Sequence, residues 1–591
     1  MRACASCAKN FSIEPDDFAF YEKLHVPAPT WCPPCRNMRR LSWREERTLY
    51  HGTCALCGKN IITIHAPGGP FTVYCRPCWN SDKWNPMDFG RDYDFGKPFF
   101  KQYRELLEAV PRPALTGSSL VNSDYSHASP NCKNCYFVFW SYSSENSQYS
   151  YGLLFSKDTF DSYTVDNSDR VYEALHGNRL YQTRFAYFSE DCLDSSFLFD
   201  CAGLSDCFGC VNLRKKKHCL FNKQLSKEQY VKELATWDLG SYTRLQEAKE
   251  KFRALYLSMP HRFAHVINGS NVTGDIIRDT KDCKTCFSTL DGVQNCKYLY
   301  FAGLNLKDSY DVSLSGDLCE LMYETVASGR MSRAFFGAGG EYSKNIEYTD
   351  WASNSSDLFG CVALKHKRYC IFNKQYNKEE YETLVAQIKK HMDEMPYVDA
   401  RGRQYGYGEF FPAELSAYAY NESQAFTWYP KTKEEVLREG LRWQDPPARD
   451  YKVTKKPEEL PDHIKDVDDS ILGETIGCMH AAPPASGCNE QCAGAFRLTP
   501  VELSFYRTMH LALPRLCPNC RHGGRLKWRN GYQMWHRRCM CGKQTAYANT
   551  TKHSHDNPPT GGSCSNEFET TFSPEKPEIV YCKECYQSEL L

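Results

Sequence analysis

The stretch SDCFGCVNLRKKKHCLFNKQLSKEQYVKEL, Ser205 to Leu234, returns 151 residues later as SDLFGCVALKHKRYCIFNKQYNKEEYETLV, Ser356 to Val385. The same offset ties NCKNCYF at Asn131 to DCKTCFS at Asp282, and Tyr172-Glu173 to Tyr323-Glu324. Residues 131–235 and 282–394 therefore read as two copies of one domain. Inside each copy runs a beat of about a dozen residues, a polar turn followed by a short strand rich in Phe, Tyr, Cys and Val, as in SKDTFDSYTV, SEDCLDSSFLF and KKKHCLFN. Short alternating strands at regular spacing predict a β-solenoid, in which each rung buries its inward residues on the next. Each copy then reaches a helix start, the capping box Ser226-Lys-Glu-Gln229 and its Asn-led analogue Asn377-Lys-Glu-Glu380. These helices are expected to cover the last rung and shield its edge.

Further out, the two ends of the chain match each other. CASCAKNFSIEPDDFAFYEKLHVPAPTWCPPC, Cys4 to Cys35, aligns with CNEQCAGAFRLTPVELSFYRTMHLALPRLCPNC, Cys488 to Cys520. At a constant offset of 485, Phe20-Tyr21 meets Phe505-Tyr506 and His25 meets His510; Arg36, Arg40, Trp43 and Arg44 meet Arg521, Arg525, Trp528 and Arg529. Paired C-x-x-C spacings supply the four thiolates of a closed tetrahedral zinc site. The expected ligand sets are Cys4, Cys7, Cys32 and Cys35; Cys54, Cys57, Cys75 and Cys78; Cys488, Cys492, Cys517 and Cys520; and Cys539, Cys541, Cys582 and Cys585, for four structural zinc ions. The second pair of each set opens a helix whose N-terminal dipole favours thiolate, a turn-then-helix order like that of treble-clef zinc fingers. Cys478 and Cys564 are left over as buried thiols, with Cys564 able to replace one member of the cramped Cys539/Cys541 pair. His25 and His510 are assigned to hydrogen bonding, since each site already has four sulfurs.

The chain has 591 residues, 31 of them cysteine, and its formal net charge is zero. A zero balance points to no nucleic acid or membrane through a global field, so an electrostatic partner must be met at local patches. No run of residues approaches a membrane span, and a cysteine motif begins at Cys4, so a cytoplasmic, reducing setting is expected, in which C-x-x-C pairs bind metal rather than form disulfides. The central cysteines, Cys192, Cys201, Cys207, Cys210 and Cys219 among them, are read as small buried hydrophobes, because several lack a partner in the second copy. Cys132/Cys135 and Cys283/Cys286 persist in both copies, which leaves a further metal open there.

Two basic segments stand out. From Pro514 to Lys543 there are eight Lys or Arg and no carboxylate; from Trp31 to Tyr50 there are five arginines against two glutamates. Aromatic residues interleave with them, as nucleic-acid stacking would need, although arginines also neutralise the formal negative charge of a zinc tetrathiolate. The leading expectation is a non-enzymatic zinc-binding scaffold that contacts RNA or a ribonucleoprotein through Arg36, Arg40, Arg44, Arg521, Arg525, Lys527 and Arg529. Alternatives are a protein-interaction scaffold using aromatic solenoid faces, with zinc purely structural, and a β-helix enzyme acting on polysaccharide. No phosphate loop, two-His zinc helix or nucleophile elbow nominates a reaction.

The phrases WCPPCRNMRRLSWREERTLY, VYCRPCWNSD, CVNLRKKKHCLFNKQ, PRLCPNCRH and VYCKECY together resemble an uncharacterised group of long treble-clef proteins of candidate-phylum bacteria with small genomes. That resemblance implies a zinc-binding fold. The expected organisation is a double zinc module (1–90), a connector (91–130), solenoid and cap helix (131–235), a helical connector (236–281), a second solenoid and cap helix (282–394), a mixed linker (395–475) and a second double zinc module (476–591). On this reading the zinc modules are two separated binding heads joined by the solenoids.

Overall fold

The computed structural model describes residues 1–45, 47–445, 451–481, 491–542 and 564–590. Two large sheets dominate, one of ten strands between Tyr151 and Gln224 and one of thirteen between Val266 and Gln375. In the first, parallel pairs step by twelve residues: Tyr151 with Tyr163, Tyr163 with Leu175, Leu175 with Tyr187, Tyr187 with Phe199 and Phe199 with Val211. In the second the step is thirteen from Lys297 through Tyr310 to Tyr323, then twelve from Ser332 through Lys344 and Ser356 to Arg368. Each ladder closes on one antiparallel pair, Lys217–Leu220 with Lys223–Gln224 and Arg368–Ile371 with Lys374–Gln375.

The strands do not alternate with period two, as the sequence reading expected. Every third residue from Ala128 to Phe221 has a left-handed backbone, with φ between 46° and 69°. Such a corner disfavours most side chains and favours Gly, Asn and Asp; Asn131, Asn134, Asn146, Gly152, Asp158 and Asp161 occupy corners. The chain turns so often that the inward side chain also recurs every third residue. From Ser123 to Leu213 each inward position is Ser, Thr, Cys, Val, Ala, Gly or Leu, since the narrow interior admits nothing larger. The buried serines are satisfied within it: Ser150 Oγ donates to the Gln148 carbonyl at 3.0 Å and accepts from the Ser162 N–H, twelve residues on, at 3.1 Å. Cys192, Cys201, Cys207, Cys210 and Cys219 fill the same column.

Many of the aromatic residues that face outward from the ladders are covered by other parts of the chain, while Tyr142, Phe155, Tyr181 and Tyr342 stay exposed. The helix at Lys227–Leu234 follows the first ladder and that at Lys378–Glu394 the second, and both capping boxes form. One buried cluster joins Phe20, Trp31 and Leu41 to Tyr310, Tyr323 and Phe359 of the second ladder; another joins Phe505, Tyr506 and Cys517 to Phe160, Tyr172 and Phe199 of the first. The segment expected to be a mixed linker contributes Tyr405, Phe410, Phe411, Tyr420 and Val436 to the first of these clusters. Among the described residues no helix is long and apolar enough to cross a membrane.

Candidate metal centres and the arginine locks

Four groups of four cysteine sulfurs each gather within 4.8 Å: Cys4, Cys7, Cys32 and Cys35; Cys54, Cys57, Cys75 and Cys78; Cys478, Cys492, Cys517 and Cys520; and Cys539, Cys564, Cys582 and Cys585. They share one construction. The backbone N–H of the third cysteine donates to the sulfur of the first, at 3.2 Å in every group: Cys32 to Cys4, Cys75 to Cys54, Cys517 to Cys478 and Cys582 to Cys539. The second and third sulfurs lie 3.8 Å apart in Cys7–Cys32 and Cys57–Cys75, and 3.9 Å apart in Cys492–Cys517 and Cys564–Cys582. Four sulfurs about 2.3 Å from one ion define a tetrahedron with edges of about 3.8 Å. The cysteines therefore fit four metal ions. Cys32, Cys75 and Cys517 are the N-caps of Pro33–Leu41, Arg76–Trp79 and Pro518–Leu526, where the helix dipole favours thiolate.

Two of the expected ligands change. Cys488 lies outside the described residues, and Cys478 completes the third group. The reason is local: Ile476–Gly477 pairs with Ala495–Phe496 as Arg2–Ala3 pairs with Asn10–Phe11, so Cys478 leaves its strand where Cys4 does, and more residues of sequence separate it from Cys492 than separate Cys4 from Cys7. In the fourth group Cys564 takes the place expected for Cys541, which instead accepts the Cys564 backbone N–H at 3.2 Å. Cys132, Cys135, Cys283 and Cys286 belong to no such group among the described residues; they stack inward in the ladders.

The expected RNA-binding arginines are buried. Arg36 donates to Asp311 at 2.9 Å, and Arg40 reaches Asp311 at 3.2 Å and Glu324 at 2.7 Å. Their counterparts Arg521 and Arg525 meet Asp161 at 2.9 and 2.8 Å. Burial alone would push the Arg36 and Arg521 guanidinium groups down; the facing carboxylates Asp311 and Asp161 hold both well above the usual arginine value. Arg44 lies over Trp140, and Arg529 over Trp428 and Tyr163. Arg36, Arg40, Arg44, Arg521, Arg525 and Arg529 are each 8 % exposed or less, so none presents its charge to a phosphate backbone; Lys527 is exposed. The charge patterns were real, but Arg36, Arg40, Arg521 and Arg525 meet carboxylates of this chain and Arg44 and Arg529 meet its aromatic rings.

The modules are crossed. The N-terminal module locks onto the second ladder and the C-terminal module onto the first, with Phe20 stacked on Tyr310 at 3.7 Å and Phe505 on Phe160 at 3.9 Å. Beyond its lock each module reaches back: Val73–Tyr74 pairs with Arg112–Pro113 ahead of the first ladder, and Ile579–Tyr581 with Pro260–Arg262 ahead of the second. From those strands Arg112 meets Asp350 of the second ladder at 2.7 Å, and Arg262 meets Asp200 of the first at 2.6 Å. The two modules also touch, Arg47 donating to Asn519 at 3.4 Å. They are crossed braces rather than separated heads.

A smaller cluster joins Asp238, His463 and His510. His463 Nδ1 accepts the Lys465 N–H at 3.0 Å, so its Nε2 carries the proton and donates to Asp238 at 3.0 Å. With both nitrogens engaged, the ring offers no lone pair to a cation, and the cluster is a hydrogen-bonded joint. His510 completes it at 2.8 Å from Asp238, while His25 ends its helix in a left-handed cap.

No family model matches the chain, and no curated protein matches it. Among solved structures, a putative acetyltransferase from Desulfovibrio desulfuricans is 8% identical, with a TM-score of 0.10, over 49% of this chain and 86% of that one. A likeness that slight carries no argument about fold or activity.

Proposed function

We propose that this protein is a non-enzymatic scaffold in which four structural zinc ions fasten two β-solenoids side by side. The repeating inward column and the twelve-residue parallel step support the solenoid reading, and the knuckle-then-helix order at each cysteine group supports a treble-clef-like module. The observation that carries the proposal is the buried lock, repeated in both halves, which turns the helix behind one metal group of each module inward onto a ladder. All-cysteine tetrads are closed sites, so zinc here fixes geometry and leaves no position for water. Borderline-soft zinc suits four thiolates in a reducing, cytoplasmic setting. The groups resemble those of treble-clef proteins, and on this reading the ladders form the working surface.

The test is metal analysis of the purified chain, followed by thermal unfolding before and after a strong zinc chelator. Four zinc ions per chain, with folding lost on chelation, is the expected result. A chain without zinc, or one whose unfolding is unchanged after zinc removal, would overturn the staple. RNA titration at several salt concentrations is a second check, in which burial of six of the seven proposed contacts predicts no steep salt dependence.

A further inference from the structure

Between the two ladders runs a groove with a volume of about 670 Å³. Its first wall is built of two files of residues twelve apart, one from Thr116 through Trp140 to Thr164 and one from Ser118 through Leu154 to Asp166. The opposite wall carries Gly303, Gly316 and Gly329, stacked thirteen apart, then Lys365 farther along the ladder. Five rungs separated by about 4.8 Å give a length of about 19 Å, and the volume divided by it gives a cross-section of about 35 Å², the thickness of one extended polymer strand. The surface is periodic and long, which suits a ligand that is itself periodic and long.

Its chemistry narrows the class. Trp140 Nε1, Thr164 Oγ1 and the Asp166 Oδ1 are buried atoms without a hydrogen-bond partner among the described residues. A donor, a hydroxyl and a carboxylate left unmatched along one wall call for a ligand with many hydroxyls, because each unmade bond is costly. Charge does not single out a polyanion, since Arg44, Arg76 and Lys365 share the groove with the carboxyl groups of Asp166, Asp317 and Glu341. A flat base has no slot between the indoles either: the Arg44 guanidinium lies over both Trp140, at 4.8 Å, and Trp351, at 5.7 Å. An extended peptide would need a free sheet edge, whereas the backbone here is already paired along the ladders. A sugar chain remains, with an apolar ring face for Phe301, hydroxyl edges for Trp140 Nε1, Asp166 and Thr164, and an advance per ring of roughly one rung.

We propose that the groove between the ladders binds a neutral, linear oligosaccharide a few rings long. The proposal goes beyond the zinc scaffold and rests on it only in needing both ladders held in place. The test titrates the full-length, metal-loaded protein with cellotetraose, maltotetraose, xylotetraose and chitotetraose, following tryptophan fluorescence and binding heat. At least one should bind with a Kd of about 1 mM or tighter. Asp166→Asn and Trp140→Ala should each weaken it by roughly tenfold or more, the loss of one matched hydrogen bond. Metal content and circular dichroism should not change. If Trp140→Ala does not fold, Asp166→Asn decides, since it preserves size. No binding by any of the four at ~10 mM, binding untouched by Asp166→Asn, or decauridylate competing for the groove would each overturn the proposal. Metal content read on the same sample keeps a failure of the zinc reading distinct from a failure of this one.

Discussion

The two locks are the same device in different settings. Each places two arginines, four residues apart on one helix face, on a buried aspartate: Arg36 and Arg40 on Asp311, Arg521 and Arg525 on Asp161. Around the N-terminal lock a third arginine, Arg39, reaches Glu324 at 3.1 Å and Glu409 at 2.6 Å. At the matching C-terminal position stands Gly524, and Glu173, the counterpart of Glu324, turns to Lys249 and Tyr187. The aspartate with its two arginines is therefore the shared minimum, and the rest is local elaboration. A buried ion pair is weak evidence for stability but strong evidence for a fixed docking geometry, because breaking it strands a charge.

The largest way to break the comparison is to remove the zinc proposed for the four cysteine groups. Structural zinc sites contribute about 10 kcal/mol or more each to folding, so Cys32→Ser and Cys517→Ser should each release one ion and abolish cooperative unfolding of the ladder that its module braces, as read by calorimetry and metal analysis. Next, Arg40→Ala and Arg525→Ala should each cost about 3–5 kcal/mol in denaturant unfolding. Arg40→Ala should cost more, since Arg40 meets two buried carboxylates, Asp311 and Glu324, whereas Arg525 meets Asp161.

A third test contrasts the reach-back contacts through pH. Burial would raise the Asp200 carboxyl, but Arg262 and Arg214 outweigh it and hold the carboxyl far below the usual carboxylate range. Its contribution is therefore present above the unfolded-state value and lost as pH falls through the carboxylate range. Asp350 faces Arg112, and burial wins, so its carboxyl is raised. Asp350 thus favours the folded state less as pH rises above the ordinary carboxylate range. Acid unfolding should begin on the Asp200 side, and Asp200→Asn should flatten the acid limb of a stability profile where Asp350→Asn does not.

The smallest effect lies in the groove. Burial pushes the Asp166 carboxyl up to about 7, against the attraction of Arg278 and with a further push from Asp291. A raised value means that stability falls as pH rises from the ordinary carboxylate range through about 7. Asp166→Asn should accordingly stabilise the protein above neutrality, by about 1–3 kcal/mol, and do little in mild acid. A residue that costs stability and leaves an oxygen unmatched is what a binding surface would retain.

Much of this was legible residue by residue. The 151-residue repeat, both capping boxes and the first two cysteine sets could be read from spacing, because each depends on near neighbours in the chain. Cys478 was missed as a ligand because its strand's partner, Ala495–Phe496, lies many residues further along the sequence, whereas Cys488 stands nearer to Cys492. The three-residue beat was in plain view as Ser, Cys and other small residues at every third position from Ser123 to Leu213, but a strand rule of period two hides it.

By itself, the sequence determined the duplicated ladder, the cysteine modules and the positive helix faces behind them, since repetition, ligand spacing and charge are local properties. Only the tertiary structure decided where those helices go. An arginine run looks the same whether it faces phosphate or a buried carboxylate, and Asp311 and Asp161 reach it across more than 250 residues of chain. The groove, too, exists only where two distant faces meet.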